Sequence, residues 1–328
     1  MLNFTFLGTS SGAPTKLRNV TGLAVQPAGA RDWFLIDAGE GTQHQLQRTG
    51  HSLRSLQAIC ITHVHGDHCY GLPGLLASAG MAGRTAPLTL VAPLPVWTWL
   101  ASTRECTDLH LPYDVHHVDS ALQPVVWQSP GVRITAHPLY HRVACHAFGV
   151  EVRHDTVHLD TTALRDTGLP PGPAWKALQS GQDLEFEGAV LKSADFVAHQ
   201  SRRVRAVFGG DNADPSMLQT ACADAQVLVH EATYTQAALD KVGPGPMHSS
   251  AKGVATFAQQ VGVPNLVLTH FSQRHHDDAG QAELEAEARA QYQGQLWLGR
   301  DFDAFELNEQ GQLRLQHSDR ANAGNEHA

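Results

Sequence analysis

Positive charge is in short supply in this chain. Lys and Arg together number 23 against 32 Asp and Glu, a formal net charge of −9 with a sequence pI near 6.1. A uniformly basic surface of the kind that coats nucleic acid is excluded, so any phosphate ligand must be met by a local cluster of cations. Cysteine is scarce as well: five residues, none in a C-x-x-C pair. That excludes a disulfide scaffold and suits reduced thiols in a cytosol. No apolar run approaches the length of a membrane span. Residues 1–8 carry no basic region, and their apolar stretch is too short for a signal peptide. The expectation is a cytoplasmic protein with no membrane partner.

Histidine, in contrast, is plentiful, with 21 residues. His63-Val64-His65-Gly66-Asp67-His68 follows directly on the apolar run at 56–62 and places four potential metal ligands within six residues. His63 and His65 project to one side of an extended segment and can share an ion. Gly66 lets the backbone turn, so that Asp67 and His68 can reach a second ion beside it. Imidazole with a hard carboxylate suits zinc, with manganese or iron as alternatives. A surface His-rich turn or a mononuclear structural site would use the same residues.

The rest of the chain repeats a pattern. Short apolar runs that read as buried strands end in a residue of ligand type: 33–36 in Asp37, 204–210 in Asp211 and 266–269 in His270, while the strand-like stretch 132–139 leads to His141. Each alone reads as a capping Asp or a satisfied core His. Together, in a layered α/β fold, they converge on one edge of the sheets. The constellation points to two metals bridged by Asp211, about 3.5–4 Å apart, able to activate water and neutralise charge on a phosphoryl group.

At 328 residues the chain could hold one large domain or two small ones. Ligand-type residues spread from Asp37 to His270 argue for one, over residues 1–316, and 42% hydrophobic content is enough for a four-layer core. Between about 153 and 203 the text changes to turn residues and mixed charge around Pro170-Pro171-Gly172-Pro173. This reads as an inserted arm with a stiff bend rather than a helix there, with Trp175 and Phe186 for it to pack on. Residues 317–328 are small and polar and are expected to be disordered. Candidate cations for phosphate are Lys16, Arg18, Arg274, Arg165, Lys176 and Lys192.

These motifs resemble those of the tRNase Z (ribonuclease Z) family in its short bacterial form, within the metallo-β-lactamase superfamily, and the resemblance runs from about residue 4 to 274. The motif at 63–68 is shared by many hydrolases. Narrower signals are Pro14-Thr15-Lys16-Leu17-Arg18-Asn19, Gly39-Glu40-Gly41-Thr42-Gln43, Gly71-Leu72-Pro73-Gly74-Leu75-Leu76, His230-Glu231-Ala232-Thr233, His248-Ser249 and Gly168-Leu169-Pro170-Pro171-Gly172-Pro173. The resemblance implies a four-layer αββα sandwich with a protruding arm, and two zinc ions per subunit, with Mn2+ or Fe2+ as alternatives. It places His63, His65 and His141 on the first ion, Asp67, His68 and His270 on the second, Asp211 between them and Asp37 behind them as an orienting residue. It implies that Asp67 helps activate water and that Glu231 and His248 supply a proton to the leaving 3′ oxygen. Precursor tRNA would be bound by Lys16, Arg18, Asn19, Arg274, Gly172 and Pro173, and the enzyme would be a homodimer removing 3′ trailers. Where the family usually has Thr and a nearby Arg after the bridging Asp, this chain has Asn212-Ala213. Ser250 stands where Thr, and His275 where Tyr, is usual. Two other readings use parts of the same residues: another hydrolase of this fold, such as an aryl sulfatase or small phosphodiesterase, and a catalytically weak RNA-binding paralogue. The arm and the Lys16/Arg18 loop speak against the first, and the complete set of ligand and dyad residues against the second.

Overall fold

The strand Trp33–Ala38 is buried along its whole length, as expected of a strand covered on both faces. Its side chains divide by parity. Phe34 and Ile36 enter one hydrophobic cluster, and Trp33 and Leu35 another. The strand Val227–Glu231 does the same: Val227 and Val229 share the cluster of Phe34 and Ile36, whereas Leu228 faces a third. One apolar layer therefore lies between two sheets, and each sheet has a second layer on its other face, beneath helices. This is a four-layer αββα sandwich, the expected α/β architecture, in a computed structural model that describes residues 1–317.

Among the described residues the first sheet has eight strands, in the order Leu313–His317, Ala304–Leu307, Leu2–Gly8, Gly22–Pro27, Trp33–Ala38, Leu56–Cys60, Leu88–Ala92 and Val115–Asp119. The second has seven, in the order Gln295–Leu298, Asn265–Thr269, Val227–Glu231, Val197–Phe208, Cys145–Leu159, Val132–Leu139 and Val125–Ser129. Trp33–Ala38 through Val115–Asp119 run parallel, as do the four strands from Val197–Phe208 to Gln295–Leu298. At or just past their carboxyl ends stand Asp37, His63, Asp211, Glu231 and His270. The helix Ala251–Val261 begins just after His248. Ser250 caps it by accepting from the Gly253 N–H, and Gly262, with φ 72, ends it.

Residues Arg153–Arg203 form a compact unit of their own, entered and left along Cys145–Leu159 and Val197–Phe208. Leu164, Leu169 and Leu178 make its core, with Trp175 and Phe186 packed against them. The expected stiff bend is only half of what Pro170-Pro171-Gly172-Pro173 does. Pro173 opens the helix Pro173–Gln179, a position where its missing N–H has no partner to lose. The last strand runs to His317, so the folded part reaches one residue past the expected boundary. The rest of the expected tail, 318–328, lies outside the described residues.

Candidate active site

Two groups of donor atoms meet at the carboxylate of Asp211. His63, His65, His141 and Asp211 form one; Asp67, His68 and His270 form the other, and within each group the donor atoms lie within 4.8 Å of one another. In the first, His65 Nδ1 is 3.0 Å from His63 Nε2 and 3.2 Å from His141 Nε2. Asp211 Oδ2 completes it, 3.6 Å from His63 Nε2 and 3.8 Å from His141 Nε2. In the second, the Nε2 atoms of His68 and His270 are 3.2 Å apart, at 3.5 and 3.3 Å from Asp67 Oδ2. Asp211 Oδ1 lies 3.3 Å from each of them. The two oxygens of one carboxylate thus face different groups.

These spacings fit metal ions. Ligands about 2.0–2.1 Å from a tetrahedral ion are about 3.3 Å from one another. The buried Asp211 Oδ1 has no hydrogen-bond partner, which is costly unless a cation completes the site. Ring orientation fits as well. His68 Nδ1 lies 2.7 Å from Asp37 Oδ2, His141 Nδ1 3.0 Å from the Met247 carbonyl, His63 Nδ1 3.0 Å from Thr62 Oγ1 and His270 Nδ1 3.1 Å from Thr233 Oγ1. Each such partner accepts a hydrogen bond from Nδ1–H and leaves the Nε2 lone pair for the centre. Thr62 and Thr233 relay to carboxylates in turn, donating to Asp37 Oδ2 at 3.0 Å and to Glu231 Oε2 at 2.7 Å.

Local backbone brings the elements this close. A Cβ at Gly39 would stand 2.3 Å from the Asp67 carbonyl, and one at Gly71 would stand 2.2 Å from the Gly39 carbonyl. Glycine is therefore required where the loop after Asp37 meets the turn Gly66–Cys69. Asp37 and His270, each at a strand end, both have φ 58, a left-handed conformation that costs non-glycine residues on the order of 1–3 kcal/mol and concentrates at functional sites.

Burial favours neutral His63 and moves its pKa well below the usual value, with His68 adding to the shift. Burial opposes charge on Asp211 too, but His270, His68 and His63 outweigh it and hold the carboxylate well below its usual range. His248 Nδ1 lies 3.5 Å from Glu231 Oε1 and 3.8 Å from Asp211 Oδ2. Burial lowers its pKa, yet the facing charge of Glu231, with Asp211 behind it, pushes it up to about 9. Glu231 ends a strand rather than starting a helix. Its Oε1 accepts from Ser249 N at 2.6 Å and Asn212 N at 3.4 Å; Oε2 accepts from the N–H and hydroxyl of Thr233.

The other expected site residues differ in exposure. Lys16 and Arg274 are exposed, whereas Arg18 is buried and is corrected here to a structural role. Its guanidinium donates to Thr9 Oγ1 at 2.7 Å and to the Gly299 carbonyl and Gln281 Oε1, each at 2.8 Å, and sits over the Phe271 ring. Buried and held by these three bonds, it is not presented to a phosphate at the surface. Asn19 is likewise occupied: its side chain donates to the Glu40 carbonyl and its N–H to Asp301. Gly172 and Pro173 lie in the compact unit at 153–203, exposed at the start of its helix. Sequence reasoning gave no role to Thr62, Thr233 or the Met247 carbonyl. The signal available for the first two was a hydroxyl within two residues of a strand-ending acid or His.

Known proteins are similar to this chain at several levels of likeness. A family model described as Anti-Pycsar protein Apyc1 matches residues 2–148, a stretch that ends before Asp211, Glu231, His248 and His270. The curated Ribonuclease Z of Marinobacter nauticus is 47% identical over 318 residues, 95% of this chain and 98% of that protein. The chain belongs to the ribonuclease Z family. Ribonuclease Z of Pseudomonas putida is 43% identical, over 95% of this chain and 98% of its own. Among solved structures, human tRNase Z, short form, is similar in fold with a TM-score of 0.63 at 22% identity, covering 93% of this chain and 99% of its own. The Bacillus subtilis metallo-β-lactamase fold protein YhfI is similar with a TM-score of 0.63 at 17% identity, over 92% and 98%. The ribonuclease Z family and its fold imply use of a divalent metal, and the His/Asp cluster offers the donors for it.

Proposed function

We propose that this chain is a metal-dependent endoribonuclease that removes 3′ trailers from precursor tRNA by hydrolysing one phosphodiester bond. The observation that carries the reading is the meeting of two donor groups at Asp211 with the Glu231–His248 pair against the same carboxylate, in a chain 47% identical to a Ribonuclease Z over nearly its full length. Two zinc ions, or Mn2+ or Fe2+ in their place, would be held by His63, His65 and His141 and by Asp67, His68 and His270, with Asp211 shared. When bound, such ions activate water and neutralise charge developing on the phosphoryl group.

The protein's own groups do the rest. Asp37 fixes the tautomer and angle of His68. Asp67, which accepts from the Gly12 N–H at 2.7 Å, is tied to the loop that carries Lys16 and faces the attacking water. Glu231, fixed by four donors, stays anionic and keeps His248 protonated. His248 gives its proton to the 3′ oxygen as the bond to phosphorus breaks, which removes the need to expel an alkoxide. Exposed Lys16 and Arg274 meet the RNA backbone; Gly172 and Pro173, in the unit at 153–203, contact the tRNA body and supply positioning energy. A homodimer acting in the cytoplasm completes the reading.

The alternative reading, a hydrolase of small phosphodiesters, needs neither the unit at 153–203 nor an acid paired as His248 is. Incubating purified protein and zinc or manganese with a precursor tRNA, and mapping the new 3′ end, decides between them. The proposal expects one cut beside the discriminator nucleotide. Hydrolysis of small diesters with the precursor left intact would favour the alternative.

A further inference from the structure

Asn212 follows the shared carboxylate, is fully buried, and makes contacts with the segments that carry His141, Glu231 and His248. Its backbone N–H donates to Glu231 Oε1 at 3.4 Å, and its carbonyl accepts from the Ser249 hydroxyl. Its side-chain oxygen accepts from the N–H of Tyr140 at 3.2 Å and of Asp214 at 3.1 Å. The side-chain NH2 lies 3.1 Å from His230 Nε2. That nitrogen must be an acceptor, because His230 Nδ1 donates to the Glu231 carbonyl at 2.7 Å. Ala213 adds its N–H to the Tyr140 carbonyl.

We propose that Asn212 is the positioning residue of the proton-donor pair. Its planar amide, a donor at one end and a double acceptor at the other, ties the backbone before His141 and the ring before Glu231 to the segment after Asp211, and so fixes the backbone N–H and carbonyl by which Asn212 itself holds Glu231 and Ser249. A single hydroxyl at this position could not donate to His230 while accepting from two N–H groups on the far side. An aspartate would set two acceptors against each other at His230. Asn212 touches neither RNA nor the reacting atoms; it acts on the distance between His248 and the leaving oxygen. The inference rests on the proposed endoribonuclease reading.

The test is a double-mutant cycle on zinc-loaded protein, Asn212→Ala with His248→Ala, measured on precursor tRNA and on bis(p-nitrophenyl) phosphate, whose leaving group needs no acid. Asn212→Ala should lower kcat on precursor tRNA roughly 10²-fold, the scale of an ångström's misplacement. KM should stay within about threefold, and metal content and aryl diester hydrolysis should be unchanged. Added to His248→Ala it should cost less than about threefold more, because the group it positions is gone. Full additivity, loss of metal, or equal loss on both substrates would overturn the inference. If Asn212→Ala fails to fold, Asn212→Asp, which keeps both acceptor contacts, is put through the same cycle with a loss of about tenfold expected. Wild-type protein that cuts only small diesters would refute the endoribonuclease reading instead. The inference would then stand or fall on whether Asn212→Ala slows alkyl leaving groups more than aryl ones.

Discussion

Glu231→Gln should convert a nearly pH-independent reaction into one that dies in mild alkali. With the carboxylate 3.5 Å from its Nδ1, His248 titrates at about 9 rather than 6.5. The folded pKa is raised, so the protonated acid persists below it and is lost as pH rises through it. At pH 8 an acid of pKa about 9 is about 90% protonated, and one returned to about 6.5 is about 3% protonated, a loss of about 30-fold. At pH 6 the same comparison gives less than about twofold. Structure adds a second, pH-independent effect. Each oxygen of Glu231 accepts from a pair of donors, so the amide NH2 of Gln must face one pair and costs about 1–3 kcal/mol of stability. Single-turnover cleavage of precursor tRNA from pH 6 to 9 checks the first effect, and urea denaturation the second. Equal loss at pH 6 and pH 8 in a folded, metal-loaded variant would refute the assignment of Glu231 as the group that keeps His248 protonated.

Asp37→Ala should weaken metal affinity about 10–100-fold, because His68 loses its orienting partner, as read by zinc titration against a chelator. Arg18→Ala should cost about 3–5 kcal/mol of stability in urea denaturation, by leaving buried acceptors unpaired, while precursor tRNA affinity per folded molecule stays the same. Shortening the segment between about 155 and 198 to a brief linker should raise KM for precursor tRNA at least about tenfold. Hydrolysis of a small activated diester, the control for folding, should survive it.

The frame of the site was legible because buried parallel strands write continuous apolar runs, and the residue that breaks each run marks the strand's end. Trp33–Ala38 and Asn265–Thr269 could be read in this way, and with them the positions of Asp37 and His270. What a side chain reaches across the fold could not. Arg18 looked like a phosphate cation because it shares a loop motif with Lys16, yet two of its partners lie 263 and 281 residues away. Asn212 read only as a departure from the family's usual residue, since its value depends on His230, in another strand, and Tyr140, just past a third. Pro173 was read by its power to break a helix, yet it begins the helix Pro173–Gln179, whose Leu178 packs with Leu164 and Leu169.

The central claim is that one carboxylate joins two metal sites, and metal content measures it most directly. Purified wild-type protein loaded with zinc, freed of excess ion and analysed by atomic emission should hold two ions per chain. Asp211→Ala, folded by circular dichroism, should hold fewer and cleave no precursor tRNA, because both donor groups lose an oxygen at once. One ion per wild-type chain, or two ions with undiminished cleavage in Asp211→Ala, would contradict the account.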